Sequence, residues 1–192
     1  MKNEITYDEA RVLFDKYIKT ENLRLHSRET EVVMRKLAQH FGKDAELWGI
    51  IGLLHDLDID VIDGDYSQHG YKTVELLKGE GYDIPEVFDA IVAHTEGLEE
   101  SNAMRKTELD YILAAADNIT GLITAYVLMR PDKKIAGAKA SSVTKKLKDR
   151  SFAASVSRDF INDITEKAGL ERNQFIQIAL DAMTEIADEI GM

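Results

Sequence analysis

The sequence predicts an all-helical fold, and three observations carry that prediction. Apolar residues recur at three- and four-residue spacing along nearly all of the 192 residues, which is the stripe of an amphipathic helix rather than the alternation of a strand. Only two prolines, Pro85 and Pro131, interrupt the chain. Capping residues stand where several of the stripes begin and end.

Taken in order, Thr6-Tyr7-Asp8-Glu9 has the form of a capping box, in which a threonine hydroxyl and a glutamate three residues on satisfy each other's free backbone N–H groups. It opens a helix with Ala10, Leu13, Phe14 and Tyr17 on one face. A second helix is predicted over residues 23–41, closing at Gly42, a residue suited to the left-handed position past a helix end. A third covers 44–55 and leads into an acidic loop, 58–65, where Gly64 marks a turn. Further helices are predicted at 68–78, 85–94, 108–129, 141–147, 152–168 and 173–190. Pro85 suits a first helical turn, where no N–H partner is lost. The last helix places Phe175, Ala179, Ala182, Met183, Ile186 and Ile190 on one stripe, with Asp181, Glu185, Asp188 and Glu189 largely outside it. No repeat or linker divides the chain, so residues 1–192 read as one domain, with a motif-bearing core at about 20–130 and a helical extension at about 131–192.

With no cysteine, disulfides, thiolate zinc sites and iron–sulfur clusters are excluded, and any metal must be held by His, Asp or Glu. The first ten residues lack the basic start and apolar stretch of a secretory signal, and no apolar run approaches the length needed to cross a bilayer. No membrane association and a cytoplasmic address are therefore expected. A net charge of −11 argues against a nucleic-acid backbone as the general partner, because a duplex requires a broad basic face. The charge is segregated, however: residues 130–150 carry eight Lys or Arg against two Asp.

A site shows in a sequence where an ionisable group stands in an apolar stretch, because an unpaired buried charge is costly. Asp117 ends the run Tyr111-Ile112-Leu113-Ala114-Ala115-Ala116 and is soon followed by Ile119, Leu122 and Ile123; the plainer alternative is a carboxylate paired with a buried arginine. His55-Asp56 follows Trp48-Gly49-Ile50-Ile51-Gly52-Leu53-Leu54, and imidazole with carboxylate is the ligand pair that binds a divalent ion without thiolate. His26 opens an inward face continued by Thr30, Val33 and Leu37, His69 opens the helix His69-Gly70-Tyr71-Lys72, and His94 closes Phe88-Asp89-Ala90-Ile91-Val92-Ala93. Each alone is as readily a core histidine. Only His40, between Gln39 and Phe41, looks like a surface residue.

Their order sets them apart: His26, His55-Asp56, His69, His94, Asp117. Here the chain resembles the HD superfamily of metal-dependent phosphohydrolases, whose motif is a His, a His-Asp pair after an apolar run and a distant Asp on a later helix. The resemblance covers roughly residues 20–130 and implies an HD-domain-like helical bundle with additional C-terminal helices. It implies that His26, His55, Asp56 and Asp117 hold one divalent ion, that His69 and His94 hold a second, and that Asp56 bridges them. Mn, Mg, Fe, Ni, Co and Zn all suit such ligands. His55 and Asp56 would be central to the chemistry, hydrolysis of a nucleotide or other small phosphate ester by a hydroxide generated at the metal. The chain lacks the Gly-Tyr-Pro motif of the branch that cleaves cyclic di-GMP. Asp56-Leu57-Asp58 replaces the Ile-Gly that often follows the pair, and Asn118-Ile119-Thr120-Gly121 departs from the diadenosine-tetraphosphate hydrolases that His94-Thr95 echoes. No substrate carries over from those branches.

Phosphate contacts are expected from Lys72, one turn after His69, and from the basic group Lys145, Lys146, Lys148, Arg150 and Arg158. Asp58 is expected to orient a ligand histidine. The acidic loop 58–65 fails the calcium-loop pattern, since Ile62 stands where a third ligand is needed. Two other functions stay open: a mixed-valent di-iron oxygenase of HD type, which uses the same ligand set, and a non-enzymatic nucleotide sensor with a degenerate site, against which the six filled ligand positions argue.

Overall fold

The computed structural model describes residues 1–98 and 101–192. Among them are nine α-helices and one 3-10 turn: α1 Tyr7–Tyr17, α2 Glu21–Phe41, α3 Ala45–Leu54, a 3-10 turn Tyr66–Gln68, α4 Tyr71–Gly79, α5 Pro85–Ala93, α6 Glu108–Leu128, α7 Ala140–Leu147, α8 Arg158–Ala168 and α9 Arg172–Glu185. The described residues contain no strand, only an isolated bridge between Lys2 and Tyr82. The all-helical prediction therefore stands, and the caps explain most boundaries. Thr6 and Glu9 complete the capping box of α1, Gly42 ends α2 in the left-handed conformation at φ 65°, and Asp44 accepts from two N–H groups at the start of α3.

The bundle is organised around α6, which touches α2, α3, α5, α7, α8 and α9. Its Leu109, Ile112, Leu113, Ile119, Leu122, Ile123 and Val127 are all in the core, and burying each such side chain contributes on the order of 2 kcal/mol. By length and composition α6 alone among the described helices could span a bilayer, which corrects the expectation that no apolar run comes near that length. More than half of its apolar window, 56%, is buried inside the fold.

Two glycines set the close approaches on which the site depends. At Gly52 of α3 a Cβ would stand 2.8 Å from the Thr30 carbonyl oxygen and 3.0 Å from Glu31 Cα, so α3 meets α2 backbone to backbone. At Gly70, whose φ is +78°, a Cβ would stand 2.9 Å from Thr95 Cγ2 and 3.0 Å from the Ile91 carbonyl oxygen. Only glycine combines that conformation with that contact.

Three predicted helices are shorter than their apolar stripes. The helix expected at 68–78 begins at Tyr71, because His69 is extended (ψ 136°) and Gly70 left-handed. The helix expected at 152–168 begins at Arg158 with Ser157 as its cap. Residues 149–156 before it form a loop in which Ala153 has φ 45°, and Arg158 holds that loop by donating to the carbonyls of Asp149, Phe152, Ala153 and Val156. The last helix ends at Glu185 rather than at residue 190; Ile190 is nonetheless buried, and Glu189 anchors the segment to Arg28 at 2.6 Å.

Candidate metal centre

Five separate segments deliver six side chains to one place. His26 stands early in α2, His55 caps the end of α3 with Asp56 next to it, His69 lies between the 3-10 turn and α4, His94 caps α5, and Asp117 sits mid-way along α6. Asp56 is at the centre. Its Oδ2 lies 3.6 Å from His26 Nε2 and 3.4 Å from His55 Nε2, while its Oδ1 lies 3.4 Å from His69 Nε2 and 3.6 Å from His94 Nε2. Asp117 Oδ1 closes the first side, 3.0 Å from His26 Nε2 and 3.8 Å from His55 Nε2. All six residues of the expected ligand set are thus brought together.

The outer nitrogens of the rings are already committed. His55 Nδ1 donates to the Gly52 carbonyl at 2.8 Å, His69 Nδ1 to Asp58 Oδ1 at 2.8 Å, and His94 Nδ1 to the Ile91 carbonyl. Since these groups accept, each Nδ1 carries a proton, and each ring turns its Nε2 inward. His55 Nε2 is buried and has no hydrogen-bond partner. His26 is positioned from its other side by Thr120: the threonine hydroxyl donates to the Asp117 carbonyl at 2.7 Å and presents a lone pair 3.4 Å from His26 Nδ1.

The donor set fits a divalent ion of borderline or hard character, and His26, His55 and Asp117 form one cluster able to hold a metal, with His55, Asp56 and His94 forming another. The charges agree with this. Burial acts to raise the carboxyl pKa of Asp56, but His55, His94, His26 and His69 outweigh it and hold it well below the usual carboxylate range. Asp117 is likewise lowered against burial by His26 and His55. Burial pulls the His26 pKa down, yet Asp117, Asp56 and Glu29 raise it to about 9, so His26 carries an extra proton that an arriving cation would displace.

Asp58 lies fully buried beneath the site. Its Oδ1 receives His69 Nδ1, and its Oδ2 accepts from the backbone N–H of Gly70 at 2.7 Å and of Thr73 at 3.1 Å. It therefore fixes both the ring and the entry to α4. Two of the three other carboxylates of the acidic loop cap backbone: Asp60 accepts from the N–H groups of Lys19 and Thr20, and Asp65 from that of Ser67.

The basic residues are arranged differently from the six ligands. Lys72 is drawn to Glu75 at 2.6 Å. Lys146 lies over the Phe152 ring at 4.8 Å. Lys145 is exposed on α7. Lys148, Arg150 and Arg158 line a small cavity together with Arg172. Arg158 spends its guanidinium Nη atoms on the four loop carbonyls named above. Three residues near the centre escaped the sequence reading. Thr120 backs His26. Asn118 donates to Asp117 Oδ2 at 3.2 Å and accepts from the Ser157 N–H at 2.7 Å. Glu29 is buried one turn after His26, raised to about 7 by burial and held by the Thr124 hydroxyl. The last was detectable as an acid on the inward face of α2; the others depend on contacts between distant elements.

A family model described as HD domain matches residues 24–122, just over half of the chain, and the matched span contains all six converging side chains. No curated protein and no solved structure matches the chain.

Proposed function

The chain belongs to the HD-domain family, and on that membership together with its six converging side chains we propose that it is a metal-dependent phosphohydrolase acting on a nucleotide or other small phosphate ester. The observation that carries this reading is the position of Asp56, each of whose oxygens faces a different pair of imidazole Nε2 atoms at 3.4 to 3.6 Å. A carboxylate so placed suits a bridge between two cations, with His26, His55 and Asp117 on one side and His69 and His94 on the other. Bound there, divalent ions would activate water and offset the charge that builds on phosphorus.

The chain's own part is positional. Gly52, Ile91 and Asp58 lock three imidazoles into one tautomer, and Thr120 orients the fourth, so the ligands need little reorganisation. The two carboxylates stay ionised, which favours capture of cations over protons. Lys72 would contact a substrate phosphate through the ammonium N–H groups that Glu75 leaves free. Among Lys145, Lys146, Lys148, Arg150 and Arg158, the first four are the candidates for substrate charge, since Arg158 is engaged by its own loop.

The test is release of product from a panel of nucleotides and phosphate esters by protein loaded in turn with Mn, Mg, Co, Ni, Fe or Zn. Hydrolysis that vanishes on chelation and returns with metal supports the reading. Iron in the protein as isolated, with a visible absorption band and oxygen uptake in place of hydrolysis, would replace it with oxidation.

A further inference from the structure

Away from the six ligands, a cavity of about 190 Å³ is lined by Lys148, Arg150, Arg158 and Arg172, with Asn162 and Asp159 beside them. It joins the end of α7 to the starts of α8 and α9. Four cations around so small a space, against one exposed carboxylate, are an unexpected concentration in a chain of net charge −11. Five of the six other arginines are neutralised within the fold, since Arg24, Arg28, Arg35, Arg105 and Arg130 each meet a carboxylate, and the sixth, Arg11, lies over the Phe14 ring at 5.0 Å. Among the described residues, none of the four around this cavity meets a carboxylate.

The hydrogen bonding is also incomplete. Arg172 Nη1 donates to Asn162 Oδ1 at 3.2 Å, and the Nη atoms of Arg158 are taken by backbone carbonyls. The Nε of each of these arginines is buried with no acceptor. A guanidinium never loses its charge and presents N–H groups in a rigid fork, so a buried N–H without an acceptor is a cost the fold retains unless something accepts from it.

We propose that this α7–α8–α9 cavity is a binding site for a phosphate-type anion, held by Arg172, Arg150 and Lys148 on a frame that Arg158 makes rigid. The volume is below the roughly 300 Å³ at which pockets for drug-sized ligands begin, which suits a compact tetraoxyanion or a terminal phosphate group. The oxygens of phosphate supply acceptors for several forks at once, and charge-assisted bonds of this type are the stronger class. The inference does not depend on the metal centre being hydrolytic, since none of the six converging metal-site side chains lines this cavity.

The experiment is a titration with inorganic phosphate of the full-length, metal-free protein, carried out also in an Asp117→Asn background so that phosphate cannot report the metal centre. Heat of binding and phosphorus line broadening are the readouts. Saturable binding is expected in both proteins, weakening as ionic strength rises. Arg172→Gln should weaken it by at least about tenfold, the loss of one charge-assisted contact, and Arg172→Lys by less. Arg150→Gln, at an exposed position with no bond to the fold, serves as the second variant if Arg172→Gln fails to fold. Absence of saturable binding, or binding that neither Arg172→Gln nor Arg150→Gln weakens, would overturn the proposal.

Discussion

His69 and His94 bring their Nε2 atoms to 3.1 Å from each other, although each ring has already given its Nδ1 proton to an acceptor, Asp58 in one case and the Ile91 carbonyl in the other. Two ring nitrogens at that distance need a shared proton or a cation against them. Asp58 therefore acts through His69. Asp58→Asn should weaken binding of one ion by about 10- to 100-fold, the usual cost of losing a carboxylate behind a ligand histidine, while the other ion is unaffected. Calorimetric metal titration measures this, and two unchanged affinities would count against the role.

Asp117→Asn tests the opposite side. The carboxylate contacts both His26 and His55, so removing its charge should abolish turnover on any substrate identified while leaving the helical circular-dichroism spectrum near that of the wild type. A variant that binds metal and turns over normally would remove Asp117 from the ligand set.

Proton competition follows from His26. Its pKa is raised from 6.5 to about 9 in the folded protein, so its contribution to the stability of the metal-free fold is fully present below about pH 6.5 and is lost as pH rises through about 9. A metal ion takes the place of that proton. Apparent metal affinity should therefore climb between pH 6.5 and 9, with close to one proton released on binding near neutral pH. Titrations in buffers of different ionisation enthalpy count the protons, and affinity flat across this range would contradict the assignment.

Gly70→Ala should disturb one side of the centre through the backbone alone. The new Cβ meets Thr95 and the Ile91 carbonyl, and the left-handed conformation adds strain of order 1–3 kcal/mol. A lower melting temperature is expected, together with weaker binding at His69 and His94. Wild-type values for both would mean that α4 and α5 can separate without moving the histidines.

Asp117 and His55-Asp56 were legible in the sequence because each put an ionisable group at the end or in the middle of an apolar run, where the fold had to supply a partner, whereas His26, His69 and His94 were legible only through their order along the chain and the resemblance that order carries. Helix identities were legible because the stripes repeat at helical spacing. Ends were less so: Arg158 collects carbonyls from as far back as Asp149, and no local pattern announces that the helix stripe before it is a clamped loop. Asp58 was singled out as an orienting residue, but its hold on the Gly70 and Thr73 N–H groups depends on the chain returning over it. Thr120 and Asn118 carry no sequence signal, because a threonine or asparagine on a helix is ordinary until the neighbouring helix is known.

The metal content of the protein tests the central claim most directly. Wild-type protein loaded with Mn, dialysed and analysed by plasma mass spectrometry should hold two ions per chain, and the double variant His69→Ala, His94→Ala should hold one, kept by His26, His55, Asp56 and Asp117. A wild-type chain that retains no metal, or a double variant with the same content as the wild type, would contradict it.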